Sequence, residues 1–315
     1  MSLLIQKEGI LTTLQGRGDF GMQRYGINPR GPMDATAARL VNLVLENDEN
    51  ESVIEMHFPA AQIVFEKACV FAIGGADFRA SLNGNNFDNW CCVHAKATSI
   101  LKFEERLKGN RCYLAVRGGI ALLQVTNVSI KTPSSRTNQL RKGDRLVIKD
   151  ESADSASVLN RRISRTMLSA YSRFPTVRIV AGAEYDLLPD EHRRAFVREI
   201  FTITGNSNRM GFWLKGPNLE LIGGKEMVSA AVTFGTIQLL PDGQMIILMA
   251  DHQTSGGYPR IANVISVDLP LIAQLGENDK VTFQLIDIDE AESLTIQFER
   301  DIQRLRIGCR FGRYW

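Results

Sequence analysis

Five hydrogen-bonding side chains stand consecutively at Asp251, His252, Gln253, Thr254 and Ser255, directly after an apolar run from Met245 to Ala250. A carboxylate, an imidazole, an amide and two hydroxyls at the end of a buried strand are costly unless paired, so neighbours satisfy them or they are aimed at a ligand. Gly256-Gly257 lets a backbone or ligand approach closely, and Tyr258-Pro259 restarts an extended segment, because the residue before proline is pushed out of the α region. The stretch reads equally as a hairpin corner with a capped aspartate or as a ligand loop on rigid strands. A second polar set lies between Thr12 and Asp34, where five glycines and two prolines exclude a regular element. Arg17, Arg24 and Arg30 in that loop each offer a planar fork to a carboxylate or phosphate, so it reads as a lid or binding loop, or as a linker.

The elements that position these groups are mostly short strands. Asp34 is a good N-cap, and Ala37, Leu40, Val41, Val44 and Leu45 follow at helical spacing, which predicts an amphipathic helix over Ala35 to Glu46. From Ser52 to Lys102, β-branched and aromatic runs broken by Gly74-Gly75 and Asn83-Gly84-Asn85 predict an antiparallel meander. Tyr113 to Ile120 and Gly143 to Ile148 add strands, with a polar loop at Thr132 to Gln139 between them. Lys149 to Arg173 loses periodicity and reads as a linker or crossover. Strands then resume around a helix starting near Pro189, and Leu219 to Gly224 is among those expected. Pro241-Asp242-Gly243 is turn chemistry ahead of the apolar run. Asp289 to Arg306 carries Ala291, Leu294, Phe298, Ile302 and Leu305 on one helical face. The expected organisation is an N-terminal domain over 1–155, a second over 170–290 that holds most of the site, and a helix and tail over 291–315.

Composition bounds the partners. The chain has 315 residues, 44% hydrophobic and 23% charged, with a net charge of +2, so charge gives no argument for nucleic acid or a membrane. Five cysteines without a C-x-x-C, and no cleavable apolar segment, lead to the expectation of reduced thiols in a cytoplasmic protein. Four scattered histidines have no metal-ligand spacing, and no metal site is expected.

Asn206 to Gly211, Gly235 to Gln244 and Leu248 to Pro259 resemble the biotin-dependent carboxyltransferase, or allophanate hydrolase subunit 2, family. So do Thr12 to Gln15, Gly31 to Asp34, Tyr113 to Ile120 and Ala181 to Asp186, and the match runs from about Gln6 to Ala291. The resemblance implies a mainly β fold with two cyclophilin-like β-barrel domains, a cleft and a few peripheral helices. It also implies one of three roles. They are the C subunit of an ATP-dependent 5-oxoprolinase-like complex acting on a small lactam or amide, a carboxyltransferase moving a carboxyl group from carboxybiotin to a urea-like nitrogen, and a Kip-antagonist type of regulatory protein that binds a kinase inhibitor. The implied partner is a B-like subunit of the allophanate hydrolase subunit 1 or Kip-inhibitor type. Relatives carry Q-D-x-G-R where this chain has Gln15-Gly16-Arg17-Gly18-Asp19, an exchange of charges that either preserves a pair or removes a substrate contact.

Amide, lactam and urea nitrogens are poor nucleophiles, so the implied chemistry needs a base near the N–H, a donor to the carbonyl oxygen and a cation for an incoming anion. The implied catalytic set is Asp251 as proton acceptor, Tyr258 as donor and Arg209 as anion holder. Asn206, Ser207, Gln238, Gln253, Thr254, Gly256, Gly257, Arg17, Arg24 and Asp34 form the implied substrate-binding set. The structural alternatives are a turn-capping Asp251, a packed Tyr258 and Arg209 in an intradomain salt bridge. Neither A-M-K-M nor a Walker A stretch occurs in the sequence, so ATP or carboxybiotin is expected from partner subunits and neither is carried covalently.

Overall fold

The computed structural model describes residues 2–121, 139–149, 158, 161–223 and 227–310; the polar loop expected from Thr132 lies outside them up to Gln139. The chain divides into two compact units. One gathers Met1–Arg17, Asp34–Leu168 and Asp301–Trp315, the other Gly18–Met33 and Ser169–Arg300.

The first unit contains β1 (Ser2–Lys7), β2 (Thr12–Gln15), helix α1 (Ala35–Val44), β3 (Val53–His57), β4 (Gln62–Phe65), β5 (Cys69–Asp77), β6 (Ala80–Leu82), β7 (Asn85–Asn86), β8 (Cys92–Ala95), β9 (Ile100–Phe103), β10 (Lys108–Val116) and β11 (Arg145–Val147). They form a sheet in the order β11-β1-β4-β9-β6-β7 and another in the order β2-β3-β10-β5-β8. Leu3, Ile5, Ile63, Phe65 and Leu101 of the first sheet share one core with Leu14, Ile54, Met56, Phe71, Ile73 and Leu114 of the second. The strands between Ser52 and Lys102 are antiparallel as expected but do not form a meander: β3, β5 and β8 belong to one sheet while β4, β6 and β9 belong to the other. Turn residues that close a hairpin also serve a corner between layers, so the sequence pattern alone does not separate the two.

Helix α1 begins as its sequence dictates, with the buried Asp34 carboxylate accepting from the Ala37 amide at 2.8 Å. It packs on β5 and β10. It ends at Val44 rather than Glu46, because Glu46 has turned into the left-handed region at φ 56°.

The second unit contains β12 (Thr176–Ala181), α2 (Asp190–Arg198), β13 (Phe201–Ile203), β14 (Gly211–Lys215), β15 (Ala230–Ala231), β16 (Thr236–Leu239), β17 (Met245–Leu248), β18 (Ser255–Gly256), β19 (Arg260–Val264), α3 (Leu269–Ala273) and β20 (Lys280–Leu285). Seven strands close a barrel in the order β12-β19-β16-β17-β14-β13-β20. The closing pair, β12 with β20, is parallel, from Thr176 beside Thr282 to Ile179 beside Leu285. Val177, Ile179, Phe201, Phe212, Leu214, Ile237, Ile247, Ile261 and Phe283 fill the interior, and Met33 joins them. The strand expected over Leu219 to Gly224 does not form among its described residues. Only Leu219 there is buried, while Ile222 is 63% exposed, so the stretch lacks the alternating face that would dock it on the barrel. Helix α4 (Ile288–Arg310) is longer at both ends than the Asp289 to Arg306 read from the apolar face. No helix among the described residues is long and apolar enough to cross a membrane.

Candidate functional site

Two of the signature stretches meet at one corner of the barrel. Asn206 to Met210 connects β13 to β14, and its turn is held internally: Ser207 Oγ accepts from the Trp213 amide at 3.1 Å, and Asn208 Oδ1 accepts from the Met210 amide at 2.7 Å. The chain leaving β17 then runs beside this turn, with the Met249 amide donating to Met210 O and the Asp251 amide to Arg209 O. The side chains complete the join. Arg209 Nε donates to Asp251 Oδ2 at 2.8 Å and Nη2 donates to Oδ1 at 3.0 Å, a bidentate pair.

The same pair fixes the glycine-rich loop. Arg209 Nη2 also donates to Gly31 O at 2.6 Å, and Asn28 Nδ2 donates to Asp251 O at 3.1 Å. The loop closes its own neck where Gly18, at φ +97°, lies against Pro29 and Arg30 and the Asp19 amide donates to Pro29 O at 2.6 Å. A Cβ on Gly18 would sit 2.7 Å from Pro29 O, so the turn requires glycine. Neither Asn28 nor Gly31 stands out in the sequence as a site residue, because each contributes through a single backbone-directed contact.

Arg209 therefore sits in the intradomain salt bridge that was its structural alternative, and Asp251, whose alternative was capping the Gly-Gly turn, is its partner, with both carboxylate oxygens accepting from Arg209. Asp34 likewise serves as an N-cap, and its amide donates to Tyr113 Oη at 2.8 Å, whose hydroxyl in turn donates to Glu55 at 2.9 Å. Arg17 is exposed, as is Arg24, which lies over the Tyr25 ring at 4.8 Å. Asn206 is exposed; Ser207, Gln253 and Thr254 are half-buried. Arg17 and Asp34 belong to the first unit, and the other candidates to the second.

Gln253 and Thr254 use their backbone carbonyls in the corner. Gln253 O accepts from His252 Nδ1 at 2.6 Å, and Thr254 O from the Val232 amide. His252 is fully buried, and that burial holds its pKa below the usual imidazole value. Beyond it, β18 pairs only with β15, through Ala230 beside Gly256 and Ala231 beside Ser255. This ribbon covers the outward face of β16. Ile237 and Leu239 point into the barrel, so Gln238 points out beneath the ribbon, 1% exposed. A Cβ on Gly256 would sit 2.5 Å from Gln238 Nε2, whereas one on Gly257 would meet nothing closer than 3.5 Å. An added Cβ at Gly256 would therefore require the Gln238 amide to move, whereas one at Gly257 would not.

Gly257, Tyr258 and Pro259 form one wall of a groove of about 750 Å³, with Leu219, Leu239, Leu240 and the Pro241–Gly243 turn among its other residues. Tyr258 is 44% exposed. Asn218, Glu220, Asp242 and Tyr258 supply the groove's polar side chains. Among the described residues no Lys or Arg lines it. Directly after this wall in the chain comes Arg260, from whose amide Glu184 accepts at 2.7 Å and from whose guanidinium it accepts at 2.8 and 3.1 Å. The Arg260 guanidinium hydrogen bonds hold the Glu184 carboxyl below its usual range. Both residues lie in or beside family-like stretches, yet their pairing across 76 residues leaves no local pattern. Among the described residues no group of three or more His, Cys, Asp or Glu side chains could hold a metal ion.

The chain is 32% identical over 299 residues to the 5-oxoprolinase C subunit of Haemophilus influenzae, covering 93% of this chain and 94% of that protein. It is likewise 32% identical over 294 residues to the 5-oxoprolinase C subunit of Escherichia coli, covering 92% and 93%. Its fold superposes on the solved urea amidolyase of K. lactis with a TM-score of 0.87 at 22% identity, over 96% of this chain and 20% of that one, so the chain spans about a fifth of that larger protein. Residues 25–285 match the family described as the carboxyltransferase domain, subdomain A and B, and the chain belongs to that family.

Proposed function

We propose that this protein is the C subunit of a 5-oxoprolinase-like assembly that acts, with partner subunits, on a small lactam or amide. The observation that carries this reading is the end-to-end match at 32% identity to a free-standing C subunit, over 94% of its length. The corner supports it in physical terms. Arg209 and Asp251 pin the glycine-rich loop, so their role is positioning, while the half-exposed Tyr258 hydroxyl stands at the groove as a donor to a substrate oxygen. In this reading the nucleotide, like any carboxybiotin, is supplied by a partner subunit. The partner we propose is a B-like subunit.

Carboxyl transfer from carboxybiotin to a urea-like nitrogen is the second reading, favoured by the match to the carboxyltransferase family and by 27% identity to the urea amidolyase of Saccharomyces cerevisiae, of which the chain covers 16%. One assay separates the two. The chain is co-expressed with candidate A- and B-like subunits and nucleotide hydrolysis is followed with 5-oxoproline or urea, with and without avidin. Turnover that depends on 5-oxoproline and ignores avidin supports the first reading. Avidin-sensitive turnover with urea replaces it with the second, and no 5-oxoproline-dependent turnover with any set of subunits defeats the first.

A further inference from the structure

Gln238 is a buried amide whose oxygen is unpaired among the described residues. Its Nε2 donates to Tyr258 O at 3.3 Å, and that carbonyl, which can only accept, fixes which end of the amide is nitrogen. The other end, Oε1, is buried and has no partner among the described residues. Its cross-strand neighbours do not help: Ile246 is apolar, and the Arg260 guanidinium is engaged with Glu184 and Ala231 O. An unpaired buried acceptor is destabilising, so its presence calls for a donor that the described residues do not supply.

The covering segment is tied at its two ends, where Thr254 O accepts from the Val232 amide and Pro259 O from the Leu239 amide. Between those ties the ribbon pairs two residues with two. Gly256 lies over Gln238 without a side chain, and Gly257, Tyr258 and Pro259, next along the chain, line the groove of about 750 Å³. Tyr258, whose carbonyl Gln238 already touches, is itself one of the groove's lining residues.

We propose that Gln238 is the specificity-determining residue for the N–H of a small amide or lactam, which its Oε1 accepts once the 255–259 segment moves aside. This rests on the amide-directed reading above, and it narrows the substrate to molecules with a free N–H. An acceptor oxygen rejects the N-alkylated analogue because the buried atom is then left unpaired, a discrimination stronger than apolar shape alone provides.

The test uses the full-length chain and two uncharged rings that differ in that proton, 2-pyrrolidinone and N-methyl-2-pyrrolidinone, with affinity read by saturation-transfer NMR. The wild type is expected to prefer 2-pyrrolidinone by at least about tenfold. Gln238→Leu, which keeps bulk and removes the acceptor, should lose the preference while keeping or raising Tm, since it also removes the unpaired group. Gly256→Ala, whose new methyl displaces the amide, should lose it as well. Equal binding of the two rings by the wild type, or no binding of either, overturns the proposal. So does a Leu variant that keeps the preference, and a Leu variant with lowered Tm and unchanged preference assigns Oε1 to a buried water instead. Neither ATP nor a partner subunit enters the measurement, so its failure is separate from failure of the turnover assay.

Discussion

At the scale of single residues, the decisive feature is that Arg209 and Asp251 answer each other. A carboxylate whose two oxygens both accept from one guanidinium acts as a strut, and here the strut extends to Gly31 O and fixes the loop. Asp251→Asn and Arg209→Ala should each lower stability by ~1–2 kcal/mol, the lower part of the range for charge-assisted hydrogen bonds because Asp251 is a third exposed. The double variant should lose less than the sum, which urea denaturation of the four proteins would measure. A general base in Asp251 would give the opposite pattern, turnover down by ~10²–10⁴ in Asp251→Asn with unchanged stability. That polar groups crowd the end of a buried strand was legible from Met245 to Ser255. Their partners were not, because Arg209 is 42 residues upstream and Gly31 contributes only a carbonyl, which no side-chain pattern encodes.

Among elements, legibility follows how local the instructions are. Helix α1 was readable because its cap and its apolar spacing lie within a dozen residues, and Asp34 performs the capping its residue type suggests. Assigning Asp34 to substrate binding as well leads to a different outcome on mutation. With its carboxylate on the Ala37 amide, Asp34→Ala should cost ~1–2 kcal/mol and Asp34→Ser should recover most of it, measured by urea denaturation. A ligand-contacting Asp34 would instead show its largest loss in affinity, not restored by serine. Which sheet each strand joins was not readable: β3, β4 and β5 have similar composition and similar turns but alternate between layers. Nor was the parallel β12–β20 closure, which joins strands about a hundred residues apart. Gln238 shows the same limit on one side chain, since the period of a strand places it on the outer face but leaves the ribbon above it unspecified.

For the whole molecule, the buried imidazole and the salt-bridged acid predict a stability profile with two separate losses on acidification. His252 Nδ1 donates to Gln253 O, so the neutral ring keeps its lone pair on a buried Nε2, and burial lowers the folded-state pKa below 6.5. As pH falls below ~6.5 the unfolded chain binds this proton first, and stability declines until the folded pKa is passed. Glu184 behaves with the other charge type. Its folded pKa is lowered by Arg260, so its contribution is complete above the unfolded value of ~4.3 and is lost as pH falls through the folded one. Urea midpoints measured from about pH 8 to 3 should therefore show a first decline beginning near ~6.5 and a second below about 4.3. His252→Asn keeps a donor for Gln253 O but cannot titrate, and it should flatten the first decline while leaving the second. Glu184→Gln should do the reverse, with lower stability at neutral pH. If the His252→Asn profile has the wild-type slope between about pH 7 and 5, the ring is not held neutral by its burial, and the corner between β17 and β18 is more open to water than its geometry implies.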